Sequence, residues 1–185
     1  LPDTEDQALI YLFMSSEQLD KDAYLSVLNN FIRQYPNSHE GHIRRASLLM
    51  HGDDASLYPS ANEDLKNAIN MAANKEEAKF QVAKTIYAYL VSLNGKDGYA
   101  EWTYDKALSI LREAIQTNNQ PVYTQLEGDI LFAMKDFSGA YNSYDKLNKS
   151  ELVTSGTFYS AAKAKQLMEV SDISEVIALM DSAIV

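Results

Sequence analysis

The sequence contains no cysteine. This absence excludes disulfide bonds, catalysis by a thiolate, and zinc sites that are built on thiolate ligands. It does not identify the cellular compartment, because many exported proteins also lack cysteine.

Residues that break helices and long apolar runs are also scarce. Only four prolines and seven glycines occur in 185 residues, which favours helices over a β fold rich in turns. The longest apolar run, at positions 8–14, is about seven residues long, whereas a helix that spans a membrane needs roughly 20. We therefore expect no direct insertion into a membrane.

Basic side chains are outnumbered by acidic ones. The 16 lysines and arginines stand against 26 aspartates and glutamates, which gives a formal net charge of −10. A chain of this charge is repelled by a phosphate backbone and by anionic lipid. We expect no nucleic-acid partner, and the simplest role of the charge is solubility.

Histidines are few and badly spaced for a metal site. The three are His39, His42 and His51, and His51 would lie about 18 Å from His39 along a helix axis. Because a metal needs three or four converging ligands, the spacing predicts polar histidines at the two ends of a helix and no metal. The turn at 94–98 lacks the acidic ligands that calcium requires.

Motifs that carry catalysis are missing as well. The sequence has no glycine-rich phosphate loop and no nucleophile elbow. No histidine lies near a plausible serine or threonine nucleophile within the same helical segment. The sequence therefore predicts no catalytic residue and no cofactor, and it indicates that the protein is not an enzyme.

Helical periodicity runs through the whole chain. Apolar residues recur at three- and four-residue intervals, and proline or glycine marks the breaks, as at Pro36 and Gly95. We predict five helix pairs within a single domain, 1–185, which is long enough for a sizeable core. The predicted pairs cover approximately 4–36, 39–73, 75–117, 121–149 and 154–185.

The second helices of these pairs share one spacing of large and small residues. Four copies of that spacing are Tyr58, Ala61, Leu65, Ala68; Tyr104, Ala107, Leu111, Ala114; Phe137, Ala140, Tyr144, Leu147; and Ile173, Val176, Met180, Ala183. A residue able to cap a helix precedes most second helices, namely Asp20, Thr103, Asp136 and Asp172. Each cap is worth about 1 kcal/mol.

The pair at 120–149 carries the most informative steps. Gly128-x2-Leu131 lies in its first helix and Ala140-x3-Tyr144 in its second, and we expect the two small residues to face each other. This pattern resembles the tetratricopeptide repeat, although Thr124 and Glu127 replace the usual tryptophan and leucine. The resemblance implies an all-α fold, an α-solenoid of about five antiparallel helix pairs forming a right-handed superhelix. An irregular α-bundle is the alternative.

The resemblance also implies a function. Tetratricopeptide proteins bind a peptide or partner protein in a concave groove lined by first helices, so we expect a non-enzymatic interaction scaffold of undetermined oligomeric state. The groove positions that carry over are Ile43, Ser47, Met50, Phe80, Lys84, Tyr87, Gln125, Asp129, Phe132, Lys165 and Met168. One alternative is a helical accessory segment of a larger multidomain protein, such as an enzyme or a surface protein that handles glycans. A small-molecule-binding bundle is another.

The junction at 31–38 bears on location. Its Tyr35-Pro36-Asn37-Ser38 ending resembles the repeat junctions of bacterial cell-envelope tetratricopeptide proteins. Together with the lack of cysteine and a first residue that is not methionine, this resemblance leads us to expect an exported protein of the periplasm or cell envelope.

Overall fold

The computed structural model describes residues 4–52, 54–148, 154–168 and 173–184. Within these ranges it contains ten α-helices, a short 3-10 helix at Ala55–Leu57, and no strand. The α-helices are α1 (Glu5–Gln18), α2 (Lys21–Gln34), α3 (His39–Met50), α4 (Tyr58–Met71), α5 (Lys75–Ser92), α6 (Tyr104–Thr117), α7 (Pro121–Ala133), α8 (Phe137–Asn148), α9 (Ser155–Gln166) and α10 (Ile173–Ile184).

These helices pack in the order of the chain. α1 packs on α2, α3 on α4, α7 on α8, and α9 on α10. Successive pairs are joined by contacts between α2 and α3 and between α8 and α9. The described chain is therefore an all-α helical repeat of the solenoid type, as the resemblance implies, and not an irregular bundle.

Contacts between residues group the chain into two compact units, Leu1–Thr103 and Tyr104–Val185. The first contains α1 to α5, and within it α5 packs against α3 and α4. The second contains α6 to α10, in which each helix packs on the next. The predicted third pair, 75–117, contributes one helix, α5, to the first unit and one helix, α6, to the second.

Small residues of the repeated spacing are buried in the structure. The alanines at 61, 68, 107, 114 and 140 are fully buried, as expected for positions where two helices approach each other. Gly128 is buried against the ring of Tyr144. The residue found opposite Gly128 is therefore Tyr144, one helical turn beyond the predicted Ala140.

Side-chain caps fix where several helices begin. Asp20 and Asp136 each accept a hydrogen bond from the backbone N–H three residues later, at 2.9 Å, and these two predicted caps are confirmed. Thr103 immediately precedes α6, and the predicted cap Asp172 lies outside the described residues. Further caps occur at Thr4, Asn74 and Thr154.

The loop after α5 begins with the expected turn. Asn94 and Gly95 have φ angles of 49° and 83°, in the left-handed region that favours glycine and asparagine. Beyond this turn the chain folds back, and Trp102 is only 2% exposed. Its Nε1–H donates to the side-chain oxygen of Asn62 at 3.0 Å.

Trp102 belongs to an aromatic cluster that joins this loop to α4 and α5. The ring centroid of Trp102 lies 4.8 Å from that of Tyr99, 5.1 Å from that of Tyr89 and 5.3 Å from that of Tyr58. The loop at 94–102 therefore contributes to the core of the first unit, because it buries the single tryptophan of the sequence.

Candidate protein-binding surface

Three of the predicted groove residues in the first unit are packing residues. Ile43 and Met50 on α3 and Phe80 on α5 are 7%, 1% and 5% exposed. Side chains this buried stabilise the unit and offer little surface to a partner. Ser47 and Tyr87 are half-buried and Lys84 is exposed, so these three carry the accessible part of the predicted surface in this unit.

On α5, the predicted residues form one stripe. Phe80, Lys84 and Tyr87 follow the four- and three-residue spacing that places side chains on one helix face. The Lys84 ammonium lies 5.9 Å from the centroid of the Phe80 ring, a cation–π distance. The buried Phe80 ring therefore interacts with the Lys84 ammonium. Lys84 and Tyr87 form the accessible part of the stripe.

In the second unit, three predicted residues lie together on α7. The Gln125 amide donates to Asp129 Oδ1 at 3.0 Å, and the Tyr144 hydroxyl donates to the same oxygen at 2.8 Å. Within the described residues, Oδ2 accepts no hydrogen bond. Burial raises the pKa of Asp129, and the two hydrogen bonds only partly oppose this effect. The unoccupied oxygen can accept a hydrogen bond from a partner.

Gly128 explains how Tyr144 reaches Asp129. A Cβ on Gly128 would lie 2.7 Å from Cδ1 and 2.8 Å from Cζ of Tyr144, far inside van der Waals contact. Because glycine has no Cβ, the Tyr144 ring packs closely against α7, and its hydroxyl reaches the carboxylate of the next residue, Asp129. The small residue that the repeat pattern places here thus orients a polar residue of the candidate surface.

Phe132 is the third predicted residue on α7, and Lys163 from α9 lies close to its ring. The Phe132 ring packs edge-on against Phe137 at 5.3 Å and is itself half-buried. The Lys163 ammonium lies 5.6 Å from its centroid. The sequence interpretation missed Lys163, since nothing in the spacing of α9 shows which of its lysines approaches α7. We call Gln125, Asp129, Phe132 and Lys163 the α7 surface.

The other predicted residues of α9 do not join it. The Lys165 ammonium lies 2.7 Å from the Glu175 carboxylate on α10 and 4.6 Å from the centroid of the Tyr141 ring. These contacts tie α9 to its neighbours, so Lys165 is engaged away from Asp129. Met168, half-buried, follows the end of α9.

One departure from the repeat pattern has a structural explanation. Glu127, which replaces the usual leucine, is 9% exposed. Its Oε1 accepts from Arg112 Nε at 2.8 Å and its Oε2 accepts from the Ser143 hydroxyl at 3.1 Å. The carboxylate therefore links α6, α7 and α8 with both oxygens satisfied, which compensates for its burial.

His42, in the first turn of α3, is a buried polar residue. Its Nδ1 lies 2.9 Å from Asp64 Oδ1, and Arg45 donates to both Asp64 oxygens at 2.7 and 2.8 Å. Burial of Asp64 opposes its ionisation, but Arg45 and His42 outweigh that effect and lower the pKa of Asp64. This network, extended by an Arg45 bond to Asn29, ties α2, α3 and α4 together.

Within the described ranges, no three side chains of His, Asp or Glu converge as a metal site would require. In the same part of the chain, none of the helices combines the length and apolar character needed to cross a bilayer. The accessible polar groups of the candidate surface are an ammonium, an amide and a carboxylate. These are groups for recognising a partner through charge and hydrogen bonds.

The fold and this surface define the class of protein as an all-α helical repeat. The solved crystal structure of MamA protein resembles this chain with a TM-score of 0.58 and 16% identity, covering 100% of this chain and 88% of that one. At such identity the likeness concerns the fold alone. A structure from a functional characterisation of Pseudomonas aeruginosa PilF matches at a TM-score of 0.36 and 13% identity, covering 97% and 88%, and carries no argument. No protein-family model and no curated protein matches the chain.

Proposed function

We propose that this chain is a non-enzymatic scaffold that binds a protein or peptide along the accessible faces of its first helices. The observation that carries the proposal is the α7 surface. It combines a half-buried aromatic ring, an ammonium above that ring and a carboxylate oxygen without a partner among the described residues. Aromatic anchors flanked by polar groups are typical of residues that dominate protein–protein affinity.

The supporting residues favour a preformed site. Gln125 and Tyr144 hold Asp129 in place, and Phe137 holds Phe132. A partner therefore meets side chains that lose little rotamer freedom on binding, which lowers the entropic cost of association. The stripe of Lys84 and Tyr87 on α5 offers the same combination of charge and aromatic surface in the first unit.

The test is an affinity pull-down from the native organism, comparing wild type with Tyr87→Ala. Tyr87 is half-buried, and truncation of an anchor should weaken binding by more than about 1 kcal/mol. We expect a specific partner to be recovered by the wild type and depleted with the variant. Equal recovery of the same partners would remove α5 from the binding surface.

We further propose that the protein acts outside the cytoplasm, in the periplasm or cell envelope. The support is the Tyr35-Pro36 junction, at which α2 ends and the ring of Tyr35 packs 5.1 Å from that of Phe31. Fractionation of cells that express the native gene is the test. A signal confined to the cytosol would contradict this location without affecting the binding proposal.

A further inference from the structure

An open cleft of about 510 Å³ lies in the first unit, between the turn from α1 to α2 and the C-terminal end of α3. Its volume falls in the range typical of ligand sites. The residues that line it include Lys21 and Tyr24 from α2, Arg44 and Ser47 from α3, and His51 and Gly52, which follow α3. Of these, only Ser47 belongs to the predicted groove.

Basic side chains line this cleft, whereas the chain as a whole is acidic. Its lining includes Lys21, Arg44 and His51 and no carboxylate, although acidic residues outnumber basic ones by 26 to 16 overall. Acidic groups stand nearby, since Glu40 pairs with Arg44 at 2.8 Å and Asp54 interacts electrostatically with Lys21. Within the described residues, Lys21 itself makes no ion pair. Its ammonium is therefore the cation most available to a ligand.

Several groups of the cleft are held in position. Two guanidinium nitrogens of Arg44 bond to Glu40. These bonds fix the position of the guanidinium group in the wall of the cleft. His51 Nδ1–H donates to the Ser47 carbonyl at 2.9 Å, so Nε2 remains for a ligand. A Cβ on Gly52 would lie inside van der Waals contact with the Lys21 ammonium. The missing side chain at 52 therefore makes room for Lys21 in the cleft.

We infer that this cleft binds an acidic peptide, with Lys21 receiving a glutamate or aspartate side chain. The peptide assignment follows from the mixture of groups. An ammonium suits a carboxylate, whereas imidazole Nε2 and the Ser47 hydroxyl suit backbone amides. A bare inorganic anion would use only the cations. Peptide binding in this cleft does not depend on the binding of a partner to the α7 surface.

The test is fluorescence anisotropy of the full chain with a labelled octapeptide of alternating Gly and Glu, against its Gly and Gln counterpart. Because the chain carries −10 charges, non-specific attraction cannot draw in the acidic peptide. We expect the Glu peptide to bind about tenfold more tightly than the Gln peptide. Equal binding of the two peptides, or binding of neither, would overturn the inference.

Two variants locate the binding. Lys21→Gln should weaken it by about tenfold, whereas Lys66→Gln, the same change at an exposed residue of α4, should leave it unchanged. Gly52→Ala should weaken binding without changing net charge, because it displaces the Lys21 ammonium.

Equal losses in the two lysine variants would indicate general electrostatics and overturn the site. Inorganic phosphate that displaces the peptide at equal concentration would overturn the peptide assignment. Phe132→Ala should have no effect in this assay, which separates it from the α7 surface.

Discussion

Gly128 lies on α7 directly beneath the ring of Tyr144 on α8. We predict that Gly128→Ala lowers the free energy of unfolding by about 1–3 kcal/mol, because the new methyl group overpacks a buried contact. Urea unfolding followed by circular dichroism measures this loss.

A matched control exists in Gly156 on α9. There a Cβ would meet only the Thr154 hydroxyl oxygen, at 3.6 Å. Gly156→Ala should therefore be neutral or stabilise by up to about 1 kcal/mol through helix propensity. If both variants had the same stability, the packing of Tyr144 on Gly128 would not be the reason for the glycine.

Asp64 is a buried carboxylate that pairs with Arg45 and lies within hydrogen-bond distance of His42. Its pKa is lowered from 3.8 because Arg45 and His42 outweigh the effect of burial. The carboxylate therefore stabilises the fold fully above the unfolded pKa, and this stabilisation is lost as the pH falls through the lower folded pKa. We predict that Asp64→Asn costs roughly 1–3 kcal/mol at neutral pH and much less at the acid end. Equal costs across a pH series of unfolding curves would contradict this.

At neutral pH, Asp129→Asn should raise the free energy of unfolding, whereas Asp64→Asn should lower it. Burial raises its pKa from 3.8, so the ionised carboxylate destabilises the fold above the folded pKa, and this cost disappears below the unfolded pKa. Asp129→Asn keeps an oxygen for the Tyr144 hydroxyl, and we predict a gain of less than about 1 kcal/mol at neutral pH. The gain should vanish in acid. A loss of stability at neutral pH would show that the hydrogen bonds dominate.

At the scale of elements, the loop after α5 contributes to the core of the first unit through Trp102. We predict that Trp102→Ala lowers the free energy of unfolding by about 3–5 kcal/mol. Trp102→Phe should cost less, since it keeps most of the ring contacts and loses the bond to Asn62. Thermal and urea unfolding by circular dichroism measure both.

The control for this loop is Tyr11→Ala on α1. Tyr11 is 43% exposed, and a surface truncation away from packing should change stability by less than about 0.5 kcal/mol. If Trp102→Ala changed stability as little as Tyr11→Ala, the loop would not contribute to the core of the first unit.

Helix positions were predictable from sequence, whereas contacts distant in sequence were not. The alanines at 61, 107 and 140 follow a helical period, and period alone places them at helix contacts. Asp20 and Asp136 act within one turn, so their caps are local. By contrast, His42 finds Asp64 22 residues away, and Trp102 finds Asn62 40 residues away. No local pattern encodes either pairing.

At the scale of the whole molecule, some features of the candidate surface are predictable from helical spacing, whereas others depend on how the helices pack. Spacing along one helix predicts that Gln125, Asp129 and Phe132 share a face, and the structure brings them together. Spacing does not show that Met50 and Phe80 are buried, because burial depends on which helix covers a face. The approach of Lys163 to Phe132 depends on the packing of α9, which no motif in the sequence states.

The most direct test of the proposed binding of a protein partner to the α7 surface is the dissociation constant of a recovered partner, measured by calorimetry. Phe132→Ala should raise the constant by about tenfold or more, as loss of an anchor does. Phe13→Ala, the same change at a 55% exposed position of α1, should leave it unchanged, and circular dichroism should show both variants folded. Unchanged affinity for Phe132→Ala, or a loss confined to Phe13→Ala, would contradict the account.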